Sequence, residues 1–119
     1  DLSDGGLWAA LAESALGGEL GAEVSLDAVP ADRPLSVEQL LFGETPGRLL
    51  VSVAPRRERR FRRLMRGLPA ARIGVVRADD RVSLRRGGAE IGSMTIDGIR
   101  AAWKDDGAAR DVAPGEPRP

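Results

Sequence analysis

Glycine and proline punctuate this chain at the places where its elements are expected to turn or stop. Glycine pairs stand at 5–6, 17–18 and 87–88, single glycines at 43, 47 and 67, and prolines at 30, 34, 46, 55 and 69. Proline cannot donate a backbone hydrogen bond and glycine opens the left-handed region, so each mark starts or ends an element. Between the marks, apolar spacing tells helix from strand.

Leu7, Leu11 and Ala15 recur at helical spacing with Ala10 between them, and the helix is expected to close at Gly17-Gly18. From Glu19 to Leu26 the chain alternates, with Leu20, Ala22, Val24 and Leu26 on one face of a half-buried strand. Ser36 with Gln39 three positions later forms a capping-box pattern ahead of Val37, Leu40 and Leu41, and Gly43 stops that short helix. The run Arg48 to Val53 is apolar on both alternate faces, which predicts a central strand, with Leu49 to Val53 the most deeply buried segment of the fold.

Pro55 suits a first helical turn, and Phe61, Leu64, Met65 and Leu68 then share one face of a helix otherwise made of arginine, ended by Gly67 and Pro69. Strands are predicted over 72–76, 81–85 and 90–94, with turns at Asp79-Asp80 and Gly87-Gly88. The second pair favours a tight hairpin, and Arg81 to Arg85 should have one wet face. Thr95 or Ser93 caps a last helix aligning Ile96, Ile99, Ala102 and Trp103, with Trp103 expected in packing against the core or another domain. Residues 106–119 are rich in Pro, Gly and Ala without periodicity and read as a disordered tail. The expected product is one α+β domain over residues 1–105, a sheet with helices packed on it.

Cysteine and histidine are both absent, which removes thiol nucleophiles, thiolate zinc sites, disulfides and imidazole bases together. Any chemistry must run on carboxylates, hydroxyls, arginines and backbone amides. No apolar run is long enough to span a membrane, so a cytoplasmic protein without membrane partners is expected, and the missing initiator Met suggests a piece of a longer chain. The net charge is zero but segregated. Residues 1–47 carry nine acids against Arg33, a net of −8, while residues 48–86 carry thirteen arginines against Glu58, Asp79 and Asp80, a net of +10. The arginine helix at 55–67 allows a nucleic-acid-binding module as one reading. Its lack of interleaved exposed aromatics favours a solvated face, so nucleic acid is not the expected partner.

The stretch richest in chemistry is the entry to the first helix, Asp1-Leu2-Ser3-Asp4-Gly5-Gly6-Leu7. A helix start presents unpaired N–H groups and partial positive charge. Glycines there admit close approach of a phosphate, and the flanking carboxylates offer oxygen ligands to a divalent cation. Magnesium and phosphate chemistry is one reading; a plain N-cap is the other.

That stretch, followed by Ala10-Leu11-Ala12-Glu13, resembles a segment of the phosphoribosylformylglycinamidine synthases, in their large ATP-dependent synthetase subunit. Two more blocks agree in order and spacing: Leu40-Leu41-Phe42-Gly43-Glu44-Thr45-Pro46-Gly47-Arg48 running into Leu49-Leu50-Val51-Ser52-Val53, and Ala70-Ala71-Arg72-Ile73-Gly74-Val75-Val76. The resemblance implies most of a C-terminal domain like that of aminoimidazole ribonucleotide synthetase, a mixed sheet with helices packed on it, N-terminally truncated so that its first strands are lacking. For the whole enzyme it implies a ligase of purine biosynthesis, converting an amide to an amidine with ATP, Mg2+ and ammonia from glutamine. Its partners would be the remaining domains of the subunit, a glutaminase and small accessory subunits. The matching positions imply Ser3, Asp4, Gly5, Gly6, Glu44 and Thr45 at a nucleotide cleft and Asp1 as a magnesium ligand. Pro46 departs from the glutamine often found at that place in the family. No catalytic residue is expected here, so the chain alone should be inactive. Another ATP-dependent enzyme of the same superfamily remains the alternative, against which the Leu41-Phe42-Gly43-Glu44-Thr45 block counts.

Overall fold

The computed structural model describes residues 1–2, 4–44 and 47–110, with side chains described as far as Lys104. Four strands, β1 (Gly21–Ser25), β2 (Gly74–Arg77), β3 (Arg81–Arg86) and β4 (Ala89–Thr95), form one sheet in the order β2-β1-β3-β4. β1 lies antiparallel to β2 and parallel to β3, and β3 lies antiparallel to β4, so the sheet is mixed. Four helices complete the fold: α1 (Gly6–Gly18), α2 (Val37–Phe42), α3 (Glu58–Leu64) and α4 (Ile96–Arg110). The architecture is α+β, as the residue pattern and the family resemblance both implied.

The alternation in β3 does what its period requires. Val82 and Leu84 are buried under the helices, while Arg81, Ser83 and Arg85 stand on the other face. On that open face Glu23 of β1 pairs with Arg77 at 2.9 Å and with Arg85 at 3.7 Å. Beneath the helices, one cluster joins Leu2, Leu7 and Leu11 to Val24, Leu26, Leu40, Leu41 and Leu84. A second joins Ala12, Ala15, Val82 and Ile99, and Trp8 packs against both. α1 therefore runs between the two halves of the core, with α2 against one and α4 against the other.

Local signals were kept closely. Gly87 and Gly88 take φ of 60° and 78°, the pair of left-handed residues that a two-residue hairpin needs. Thr95 Oγ1 accepts from the Gly98 N–H at 3.0 Å and caps α4. The capping box is complete: the Ser36 hydroxyl accepts from the Gln39 N–H at 3.1 Å, and the Gln39 side chain accepts from the Ser36 N–H at 2.9 Å. Ser36→Ala should therefore lower stability by about 1 kcal/mol, read from the midpoint of urea unfolding.

Several expectations need correction. α1 does not stop at Gly17-Gly18; it runs through both, and the left-handed residue that ends it is Glu19 at φ 51°, whose carboxylate Arg100 of α4 holds at 3.1 Å. Leu49 to Val53 is neither a strand nor buried: Leu49 is 72% exposed and Val51 57%, because the sheet closes its order without this segment and only Leu50 reaches the core. The apolar stripe of the arginine helix is uncovered as well, with Leu64 67% and Leu68 60% exposed, since α3 packs substantially only on the 3-10 turn Pro55–Arg57 that precedes it. Trp103 is 49% exposed. α4 continues to Arg110, into the stretch read as a tail, and residues 111–119 of that stretch lie outside the described residues. No described helix is long and apolar enough to cross a membrane.

Candidate functional site

The helix entry and the bend after α2 meet at one rim of the core. The Leu2 N–H donates to the Arg48 carbonyl at 3.0 Å, and the Gly5 N–H donates to Glu44 Oε1 at 3.0 Å, across 39 residues of sequence. Leu2 itself is buried in the first cluster, so the entry is held by an apolar anchor and two hydrogen bonds. Sequence spacing alone gave no sign of the Leu2 tether, because a backbone donor leaves no residue-type signature.

Gly5 and Gly6 are both left-handed, at φ of 85° and 75°. A Cβ on Gly6 would lie 2.7 Å from the Leu41 carbonyl oxygen and 2.9 Å from the Phe42 carbonyl carbon. The pair is thus demanded first by the turn into α1 and by the close passage of the α2 backbone. The N-cap of α1 is Gly5, with no side-chain cap hydrogen bond, and no acidic residue lies in the first turn. Glu44 instead brings a carboxylate to this helix start from a distant loop, where unpaired N–H groups and the helix dipole favour negative charge.

Around this rim Asp1, Asp4 and Glu44 are exposed, Gly5 is half-buried and Gly6 is buried. Ser3 and Thr45 lie outside the described residues. Among the described residues no group of three or more Asp, Glu, His or Cys converges as a metal cage. Magnesium binds through one or two carboxylates when phosphates and water fill the other positions, so the acids here suit a shared site better than a self-contained one. Chemically the described residues of the rim offer a helix N-terminus, two Cβ-free backbone positions and dispersed carboxylates, in a chain with no thiol or imidazole.

Residues 1–87 match the family model described as AIR synthase related protein, C-terminal domain. The chain is 41% identical over 106 residues to the phosphoribosylformylglycinamidine synthase subunit PurL of Cutibacterium acnes, covering 87% of this chain and 13% of that protein. It is 40% identical over 84 residues to the PurL subunit of Leuconostoc mesenteroides, covering 71% of this chain and 10% of that one. The chain thus spans about an eighth or less of the length of these curated relatives. Among solved structures, T. maritima PurL complexed with ATP superposes with a TM-score of 0.73 at 23% identity, over 83% of this chain and 18% of that one. At that identity the likeness speaks to the fold.

Proposed function

Because the chain belongs to the AIR synthase related proteins, its residues 1–87 matching their C-terminal domain, we propose that it forms one wall of a nucleotide cleft in an ATP-dependent phosphoribosylformylglycinamidine synthase. The observation that carries this reading is the meeting of the α1 entry with the loop after α2, through the Leu2–Arg48 and Gly5–Glu44 hydrogen bonds. Those two segments are also two of the three blocks on which the family resemblance rests, and the relatives at about 40% identity are PurL subunits. In such an enzyme the amide oxygen would take the γ-phosphoryl group of Mg2+-bound ATP, releasing ADP, and would leave as phosphate when ammonia adds at the carbon.

The residues of this chain would serve in binding and positioning. The α1 N-terminus would face phosphate, with Ser3, Asp4, Gly5, Gly6, Glu44 and Thr45 along the cleft and Asp1 as a carboxylate for magnesium shared with phosphate oxygens. Glu44 would set the charge at the helix start, since its carboxylate already occupies the Gly5 N–H. With neither His nor Cys in the chain, the chemical step would fall to other domains of the same subunit. Ammonia would come from a glutaminase, with small accessory subunits in the assembly, in the cytoplasm. The isolated chain would turn over no ATP.

Growth complementation tests this. A purine auxotroph lacking the synthetase should be rescued by the longer polypeptide that contains this chain and not by the same polypeptide lacking residues 1–105. Full rescue without them would end the proposal.

A further inference from the structure

Beside the fold's core, residues 51–64 form an open groove with an apolar floor of Val51, Val53, Phe61 and Leu64 and with Arg57 and Arg60 at its edge. Residues 49–53 run without regular structure and make no backbone hydrogen bond to any described residue, so a row of donors and acceptors stands beside the floor. The charge there is one-sided. Residues 48–66 hold eight arginines and one glutamate, a net of +7, and among the described residues only Arg62 of the eight has an ion pair, with Glu58 at 2.9 Å.

Unpaired backbone, apolar floor and cationic edge together describe a receptor for a polypeptide segment with apolar and acidic side chains. A nucleic acid would use the arginines and leave most of the apolar floor, Val51, Val53 and Leu64, idle. A second copy of this chain could present only its acidic half, in which Glu19, Glu23, Asp27 and Glu44 already hold partners of their own. The relatives are eight- to tenfold longer than the part matched here, so a covering segment is available within one polypeptide.

We infer that this groove docks an acidic, apolar-bearing segment from another domain of the longer polypeptide, which adds to residues 49–53 by main-chain pairing. The inference rests on the proposed reading of the chain as one domain of a larger subunit.

Hydrogen exchange, followed by mass spectrometry on the 119-residue chain and on the longer polypeptide containing it, tests the docking. Amides of residues 49–54 should exchange almost unprotected in the short chain and at least a hundredfold more slowly in the long one. In the long polypeptide, Arg57→Glu with Arg60→Glu should restore fast exchange, while Arg57→Lys with Arg60→Lys keeps the protection. Unchanged exchange in β3 shows that the variants are folded. Equally fast exchange in both proteins overturns the inference, as does protection indifferent to charge reversal. Slowing that grows with concentration of the short chain assigns the groove to a second copy, and slowing on addition of polyuridylic acid assigns it to RNA; either also overturns it. The cleft is read separately, from protection of residues 4–6 by ATP and Mg2+ in the long polypeptide. Either reading can thus fail while the other stands.

Discussion

Gly6→Ala is expected to lower the stability of the chain by about 3 kcal/mol, a fall in melting temperature of about 12 °C or more for a domain of this size. Two causes add. Alanine at φ 75° carries the steric cost of the left-handed region. Its Cβ would also enter the 2.7 Å space beside the Leu41 carbonyl oxygen and the 2.9 Å space beside the Phe42 carbonyl carbon. Both obstacles are backbone, so relief requires moving α2 with its buried Leu40 and Leu41, and these belong to the same cluster as Leu2 and Leu7. Gly17→Ala is the control. Nothing lies within 4 Å of a Cβ there and the position is inside α1, so helix propensity should make the change neutral to stabilising by about 0.5–1 kcal/mol. Urea unfolding of the two variants checks both. A Gly6→Ala variant as stable as the parent would mean that α2 does not pass over the helix entry as described.

The packing demand on Gly6 also bears on what the glycine pair says about function. A glycine that both the turn and the neighbouring helix require is already explained without a ligand. The case for a cleft therefore rests less on the glycines than on what surrounds them: an α1 start without a side-chain cap, and a carboxylate delivered to it from residue 44. In the sequence, Glu44 was singled out only through its block. Its partner, the Gly5 N–H, is a backbone group that every residue type except proline possesses.

The same boundary between local and long-range physics separates the rest of what the residues disclosed. The Ser36–Gln39 box, the Gly87-Gly88 turn, the Thr95 cap and the alternation of Val82 and Leu84 each depend on atoms a few residues apart, and each formed as the spacing implied. The glycine pair at 17–18 misled because glycine permits the left-handed conformation without compelling it. The end of α1 was decided instead at Glu19, which Arg100 grips from a helix 81 residues away. Periodicity in 49–53 and in Phe61, Leu64, Met65 and Leu68 correctly marked apolar faces. It could not state what covers them, because burial belongs to a pair of surfaces and only one surface is written in the segment.

Leu7→Ala and Leu49→Ala, identical in chemistry, should therefore differ widely in cost within the 119-residue chain. Leu7 is 1% exposed, in the first turn of α1 among Leu2, Leu11, Leu40 and Leu41, so truncation removes buried methyl groups and leaves a cavity that α2 and the sheet fill only in part. The expected loss is about 2–5 kcal/mol. Leu49 is 72% exposed and makes no core contact, so its truncation should stay within about 0.5 kcal/mol. Denaturant titration of both variants measures the gap. If Leu49→Ala proved as costly as Leu7→Ala in the short chain, residues 49–53 would be packed in solution and the correction to the sequence expectation would be withdrawn. A Leu49→Ala cost that rises above 1 kcal/mol only in the longer polypeptide would instead locate the missing cover outside this domain. The apolar run would then be a true burial signal whose second surface another part of the polypeptide supplies.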